Sequence, residues 1–468
     1  MQVKRFVEIL ASSGVVNRLK LPVAAICYAL AFHHAYVVYL YPVFEYAHFD
    51  YFPRPLLSVL VTYCLIAAPV LGYRSTSAPA AFGAALILVL CYVPAQLIML
   101  FVWQRPLSEL LLVQSSIAAS MAILLHSSAL GAAPTAAAAH VGRRMSMLIA
   151  ALTAVSIMFL VATYHQHMRL VSFADVYDLR FASSEVEKSA VGSYLILWLT
   201  YCFLPFYFAR GIVRRNILDI AVGAFGSLLI YMASGAKVAI LMGLIIAGLT
   251  IVYGKGKDFL FRLLVVATAV IVFIVAVLPD EGAFFFLKSI LLMRVLGTGG
   301  WCMAHYYDYF STHGFTYYTH IRFVDALTGA YPYGDQSLGQ LIGLEYTGSD
   351  LANFNANFWA SDAFAAMGVA GVPVVTLAMC VYFVVLNRFA RDFPPRFVML
   401  WLSGFWIAVL NVPLSTAILS CGGLITLLLL AIGNTRPRRR RVRLIDKGGV
   451  PVRVIVPDRC SGAPVGPA

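Results

Sequence analysis

The sequence predicts an all-α, polytopic helical membrane protein with about 12 transmembrane helices. Two observations carry that expectation. Hydrophobic residues make up 61% of the 468 positions against 12% charged, and the mean hydropathy is +0.84, well above that of a soluble domain. Apolar runs of about 20 residues recur along the chain, the length that carries a helix across a hydrocarbon core. Backbone inside lipid must satisfy its own hydrogen bonds, which leaves helices or closed barrels, and short alternating strands are absent.

Taken in order, the apolar runs place spans at about 21–41, 55–73, 79–102, 108–128, 145–163, 191–209, 216–233, 238–253, 260–278, 361–387, 397–413 and 415–433. Charge orients them. Lys4, Arg5, Arg18 and Lys20 precede the first span, and Arg74 follows the second. Arg143 and Arg144 follow the fourth; Arg210, Arg214 and Arg215 follow the sixth. Lys255, Lys257 and Arg262 follow the eighth, and Arg388, Arg391 and Arg396 the tenth. Every even-numbered exit is basic, so the positive-inside rule puts both termini in the cytoplasm. The expected organisation is a membrane domain over 1–435 and a basic cytoplasmic tail over 436–468.

That orientation leaves two long polar loops, 164–191 and 279–360, on the opposite side, the periplasm of a bacterium. The first span resembles a signal peptide in its basic start, but it has no small-residue cleavage site and His33 and His34 interrupt it, so it reads as a retained helix. Of the eight cysteines only Cys302 falls in a far-side loop and none forms a CxxC pair, so neither a disulfide framework nor a zinc site is implied. The tail has eight Arg and one Lys against two Asp, +7 of the net +13. Placed just inside the last helix, such a run serves topology or contacts anionic lipid rather than nucleic acid. Its Gly- and Pro-rich end suggests disorder.

Chemistry concentrates in the two loops and one hairpin. Arg169 and Arg180 stand on the far side against the usual charge preference, and a guanidinium fork suits phosphate oxygens; pairing with Asp175, Asp178 or Glu185 is the bland alternative. Ser234-Gly235-Ala236-Lys237 puts a cation at a helix start, where an anionic partner or headgroup would stabilise it. The long loop opens with an apolar segment, Phe284 to Val295, interrupted by Lys288 and Arg294 and read as a helix lying in the interface or against the bundle. Tyr307 and its aromatic neighbours suit a sugar face, as do Asn355 and Trp359. His320, two residues from Arg322, is a titratable group that can act as a base. The paired His165 and His167 lack an acidic or thiol partner, so no metal is expected. A Walker loop, a GxSxG elbow and an HExxH motif are all missing, so neither ATP nor another cofactor is expected. Most spans carry no central Asp or Glu and no inverted repeat is visible, which weighs against an ion-coupled transporter.

Over residues 160–390 this layout resembles the Wzy-type O-antigen polymerases, a GT-C-like polymerase/ligase architecture. The likeness rests on Asp175-Val-Tyr-Asp-Leu-Arg180, the span ending in Pro205 and Arg210, Ser234-Gly-Ala-Lys237, Arg294 through Gly300 with the Tyr306–Phe310 patch, and Asn355–Asp362 before Gly368 and Gly371. The resemblance implies a metal- and nucleotide-independent glycosyltransferase of the bacterial inner membrane. It would move a growing glycan from undecaprenyl diphosphate onto a new lipid-linked repeat, building O-antigen or exopolysaccharide. On that reading Arg169, Arg180, Lys237, Arg294 and Arg322 hold the diphosphate, Tyr307, Asn355 and Trp359 contact sugar, and His320 or Asp325 activates the acceptor hydroxyl. The lipid-linked glycan and the bilayer are its partners, with a chain-length regulator as a further candidate and no role for nucleic acid. The alternatives are an O-antigen ligase, with similar arginines, and a flippase or exporter of lipid-linked oligosaccharide, with cations inside a central cavity.

Overall fold

The computed structural model describes residues 14–74, 77–132, 141–172, 190–254, 258–349 and 352–433, with Val176, Leu179, Ser183 and two strands of the tail. The membrane domain is helical, and among the described residues ten helices are long and apolar enough to cross a membrane. They include Leu19–Ala47, Pro79–Val102, Phe259–Val277 and Leu414–Gly433. Two shorter apolar helices, Leu56–Gly72 and Lys237–Tyr253, accompany them.

Hydrogen bonds between distant segments sort the helix ends onto two faces. On one, Lys20 lies 2.7 Å from Asp258, and Asn387 accepts from the Ala80 N–H while donating to the Ser128 and Leu130 carbonyls. On the other, the Phe52 N–H donates to the Phe101 carbonyl, the Arg169 N–H to the Met232 carbonyl, and the Trp103 indole to Asp308. Each pair joins positions that alternating crossings place on the same side. The face holding His48, Trp103, Arg169, Asp308 and Asp362 is called the site face below.

One of the ten long helices does not alternate. Gly282–His313 starts beside the site face, where Lys288 bonds Asp280 at 2.5 Å and lies over the Tyr39 ring. It ends there too, with Asp308 bonded to Trp103 and Arg105. Its middle dips inward: a Cβ on Gly299 would lie 3.7 Å from the Cys91 sulfur, halfway along Pro79–Val102. The bend follows from the wide π-helical turns of Ser289–Gly297, which loosen the backbone ladder. The apolar segment therefore joins the aromatic patch in one continuous re-entrant helix, so the 279–360 stretch is no simple loop. The two shorter apolar helices and the pair Pro395–Trp401 and Ser403–Val409 are each too short to count among the ten.

Small residues let the re-entrant helix pack this deeply. A Cβ on Gly300 would sit 2.7 Å from the Ala95 Cα, so the two backbones touch as small residues allow in membranes. Gly300→Ala should cost about 1–3 kcal/mol, read as a lower unfolding midpoint in detergent; an unchanged midpoint would show that the two helices separate freely. Below the site face, Arg210 grips Asp219, in the first turn of Ile217–Ser234, with two hydrogen bonds of 2.7 and 2.5 Å. Two tail segments, Arg439–Ile445 and Pro451–Pro457, pair as an antiparallel ribbon.

Candidate functional site

The segment after the re-entrant helix folds back and clamps onto the start of the next span. The Thr316 and Tyr317 N–H groups donate to the carbonyls of Ala365 and Ala366. Tyr317 and Tyr318 both take positive φ, 46° and 67°, a conformation that side chains other than glycine rarely adopt. Two successive strained residues mean that the surroundings dictate the loop, as happens where a side chain must be aimed. What they aim is His320.

His320 lies between a hydroxyl and a carboxylate. Its Nε2 is 3.0 Å from Asp362 Oδ1 and its Nδ1 is 2.8 Å from Thr316 Oγ1. The side chains of His320 and Asp362 are 5% and 3% exposed. Asp362 is held in turn by the Leu414 N–H and by the Ser415 hydroxyl at 3.4 Å, so its charge rests on donors from the final span. A carboxylate facing Nε2 fixes the proton there and leaves the Nδ1 lone pair toward Thr316. The Tyr318 ring is 6.3 Å from the imidazole, and its buried hydroxyl has no partner among the described residues. Burial, and then the Asp362 charge, push the Tyr318 phenol up, which keeps it protonated as a donor.

The carboxylate of Asp325, the other candidate base, accepts the Tyr331 N–H, closing the turn after the Arg322–Thr328 helix. The carboxylate that orients His320 is Asp362, whose position near the start of a span reads in sequence as a helix-dipole effect. No spacing signal links positions 42 residues apart.

The cations occupy several segments of the site face. Arg169 is exposed and its backbone is tied to Met232, while the Tyr231 hydroxyl donates to the Val171 carbonyl. Those bonds bring Arg169 to the hairpin that Lys237 closes after the left-handed Gly235. Arg294 is exposed on the π-helical part of the re-entrant helix, and Arg322 is exposed at the start of its short helix, two residues from His320. None of Arg169, Arg294 and Arg322 forms an ion pair with a carboxylate among the described residues. Arg180, with Asp175 and Asp178, lies outside the described residues. A lipid-facing apolar groove of about 820 Å³ runs between the first span and Phe259–Val277, but none of these cations lines it.

The expected sugar contacts divide. Tyr307 is 9% exposed and its hydroxyl donates to Glu109 at 2.8 Å. Asn355 is exposed and its carbonyl accepts from the Cys302 thiol. Trp359 is fully buried with its indole N–H on Thr376, so it packs the bundle and faces no ligand. Sequence reasoning passed over Arg105 and Glu109, which sit in a four-residue connection and a helix start and become notable only beside Asp308. Comparison with protein-family models, with characterised proteins and with solved structures returns no match.

Proposed function

We propose that this multi-pass membrane protein is a glycosyltransferase that extends a polysaccharide from undecaprenyl-diphosphate-linked repeat units at the outer face of a bacterial inner membrane. The observation that carries the reading is the buried Thr316–His320–Asp362 chain on the same face as three exposed arginines that have no carboxylate partner among the described residues. A lipid diphosphate leaving group supplies the anion that such cations would stabilise as the glycosidic bond breaks.

In the transfer, the bond between the donor anomeric carbon and its diphosphate oxygen breaks, and the electron pair leaves on that oxygen. The acceptor hydroxyl oxygen forms the new bond. Its proton passes to Thr316 Oγ1 as the Thr316 proton moves to Nδ1 of His320, and Asp362 stabilises the resulting imidazolium. The relay is needed because both imidazole nitrogens are engaged, so a sugar hydroxyl does not meet His320 directly.

Deleting the gene in a strain that makes a polymeric surface polysaccharide tests the class of reaction. Loss of the polymerase should leave single repeats capped on lipid A core, whereas loss of a ligase or flippase should leave none. Retained long chains would end the polymerase reading. Within the site, Arg294→Ala should abolish chain growth with the protein still in the membrane, and unchanged chain length would remove Arg294 from the diphosphate contact.

A further inference from the structure

A second cluster on the site face is joined through an aromatic pair to the helical segment that carries Asp362. Tyr307 packs on Phe364 with ring centroids 5.4 Å apart, and Phe364 is two residues from Asp362. On its other side Tyr307 donates to Glu109 Oε1, which also accepts from Arg105 at 3.3 Å. Arg105 bonds Asp308 at 2.8 Å, and Asp308 also accepts from the Trp103 indole. Arg105, Glu109 and Asp308 keep 30%, 27% and 26% of their side chains exposed, so a ligand can reach them.

One helical turn before Asp308 stands His305. It is 5% exposed, with its ring centroid 4.1 Å from Trp301 on one side and 4.1 Å from Tyr346 on the other. Neither ring nitrogen has a partner in good hydrogen-bond geometry among the described residues, the His48 backbone being its nearby polar neighbour. A buried polar atom so weakly paired costs about 1–3 kcal/mol, so the imidazole gains from any polar group brought against it. The described bonds of Glu109 likewise all use Oε1, which leaves Oε2 available.

Charge decides the class of molecule. Two carboxylates against one guanidinium make the cluster net negative, which disfavours a phosphate and suits neutral hydroxyls. Carboxylate, guanidinium and imidazole edges beside aromatic rings recognise a polyhydroxylated ring by directional hydrogen bonds and apolar contact. We propose that Glu109, Arg105, His305 and Asp308 form a subsite for a neutral sugar of the acceptor repeat, positioned through Tyr307 and Phe364 beside the Thr316–His320–Asp362 chain. The assignment of that sugar to the acceptor rests on the polymerase reading; the sugar subsite itself does not.

The test uses the full chain in lipid nanodiscs with two probes. The first is the repeat oligosaccharide released from its lipid carrier by mild acid, titrated against the protein's tryptophan fluorescence, since Trp103 and Trp301 border the subsite. The second is extension of lipid-linked repeat at varied acceptor concentration. Saturable quenching is expected, weakened about tenfold in both Glu109→Gln and His305→Gln, equivalent to about 1.4 kcal/mol. In extension, the loss should fall on the acceptor KM rather than on kcat, opposite to His320→Ala. His305→Gln keeps a neutral polar side chain and so decides the matter if Glu109→Gln fails to fold. Binding and acceptor KM unchanged in the folded variants would overturn the subsite. Binding that depends on these residues without any polymer formation would overturn the polymerase reading and retain the subsite. Absence of both binding and extension in the unaltered protein would overturn both.

Discussion

Asp362→Asn should lower the rate of the proposed glycan transfer by about 10²- to 10⁴-fold, the range that general acid–base catalysis contributes. The carboxylate faces Nε2 of His320 at 3.0 Å, and an amide there neither stabilises an imidazolium nor fixes the proton on that nitrogen. Thr316→Val should match it, because valine keeps the shape and removes the hydroxyl that bridges acceptor and Nδ1, whereas Thr316→Ser should restore most of the rate. Asp325→Asn is the contrast, since its oxygen accepts a backbone N–H that an amide oxygen also accepts. Rates of lipid-linked repeat extension by purified protein check all four. Equal rates for Asp362→Asn and the unaltered chain would remove the imidazole from the chemistry.

Asn357→Leu should destabilise the protein by about 3 kcal/mol or more, since each buried backbone group that it strands costs about 1–3 kcal/mol. Asn357 is fully buried beside Gly299 of the re-entrant helix. Its amide donates to the Gly299 carbonyl at 3.1 Å, and its oxygen accepts the N–H groups of Trp359 and Ala360 at 3.0 and 3.1 Å. One side chain thus caps the turn into the next span and joins it to the helix carrying Trp301, His305 and Asp308. Leucine has similar volume, so the loss comes from unpaired polar groups rather than from a cavity. The unfolding midpoint in detergent measures it, and an unaltered midpoint would mean that water replaces all three bonds.

The two predictions differ in how far sequence anticipates them. Asn357 occurs in an Asn-aromatic run that reads equally as sugar contacts or helix caps, and burial selects capping. Trp359 follows the same logic: an aromatic beside asparagines suits a sugar, and only its position inside the bundle assigns it to packing. His320 is recognisable as a titratable group beside a fixed cation, but its partner is 42 residues away on another helix. The helix Gly282–His313 escaped notice as one element because Lys288 and Arg294 interrupt its apolar half. Lys288 is buried in the fold, neutralised by Asp280 and lying over the Tyr39 ring, neither of which its own neighbourhood foretells.

What the sequence by itself determined is the helical membrane bundle. Apolar length dictates where the chain must be helical in lipid, because it is a local property of consecutive residues. The tertiary structure alone decided which polar groups meet. Asp362 reaches His320, Arg105 reaches Asp308 and His305 lies between Trp301 and Tyr346 because a bent helix and a strained loop fold back against the helix ends. Those pairings depend on packing between segments far apart in the chain, and no periodicity within a segment encodes them.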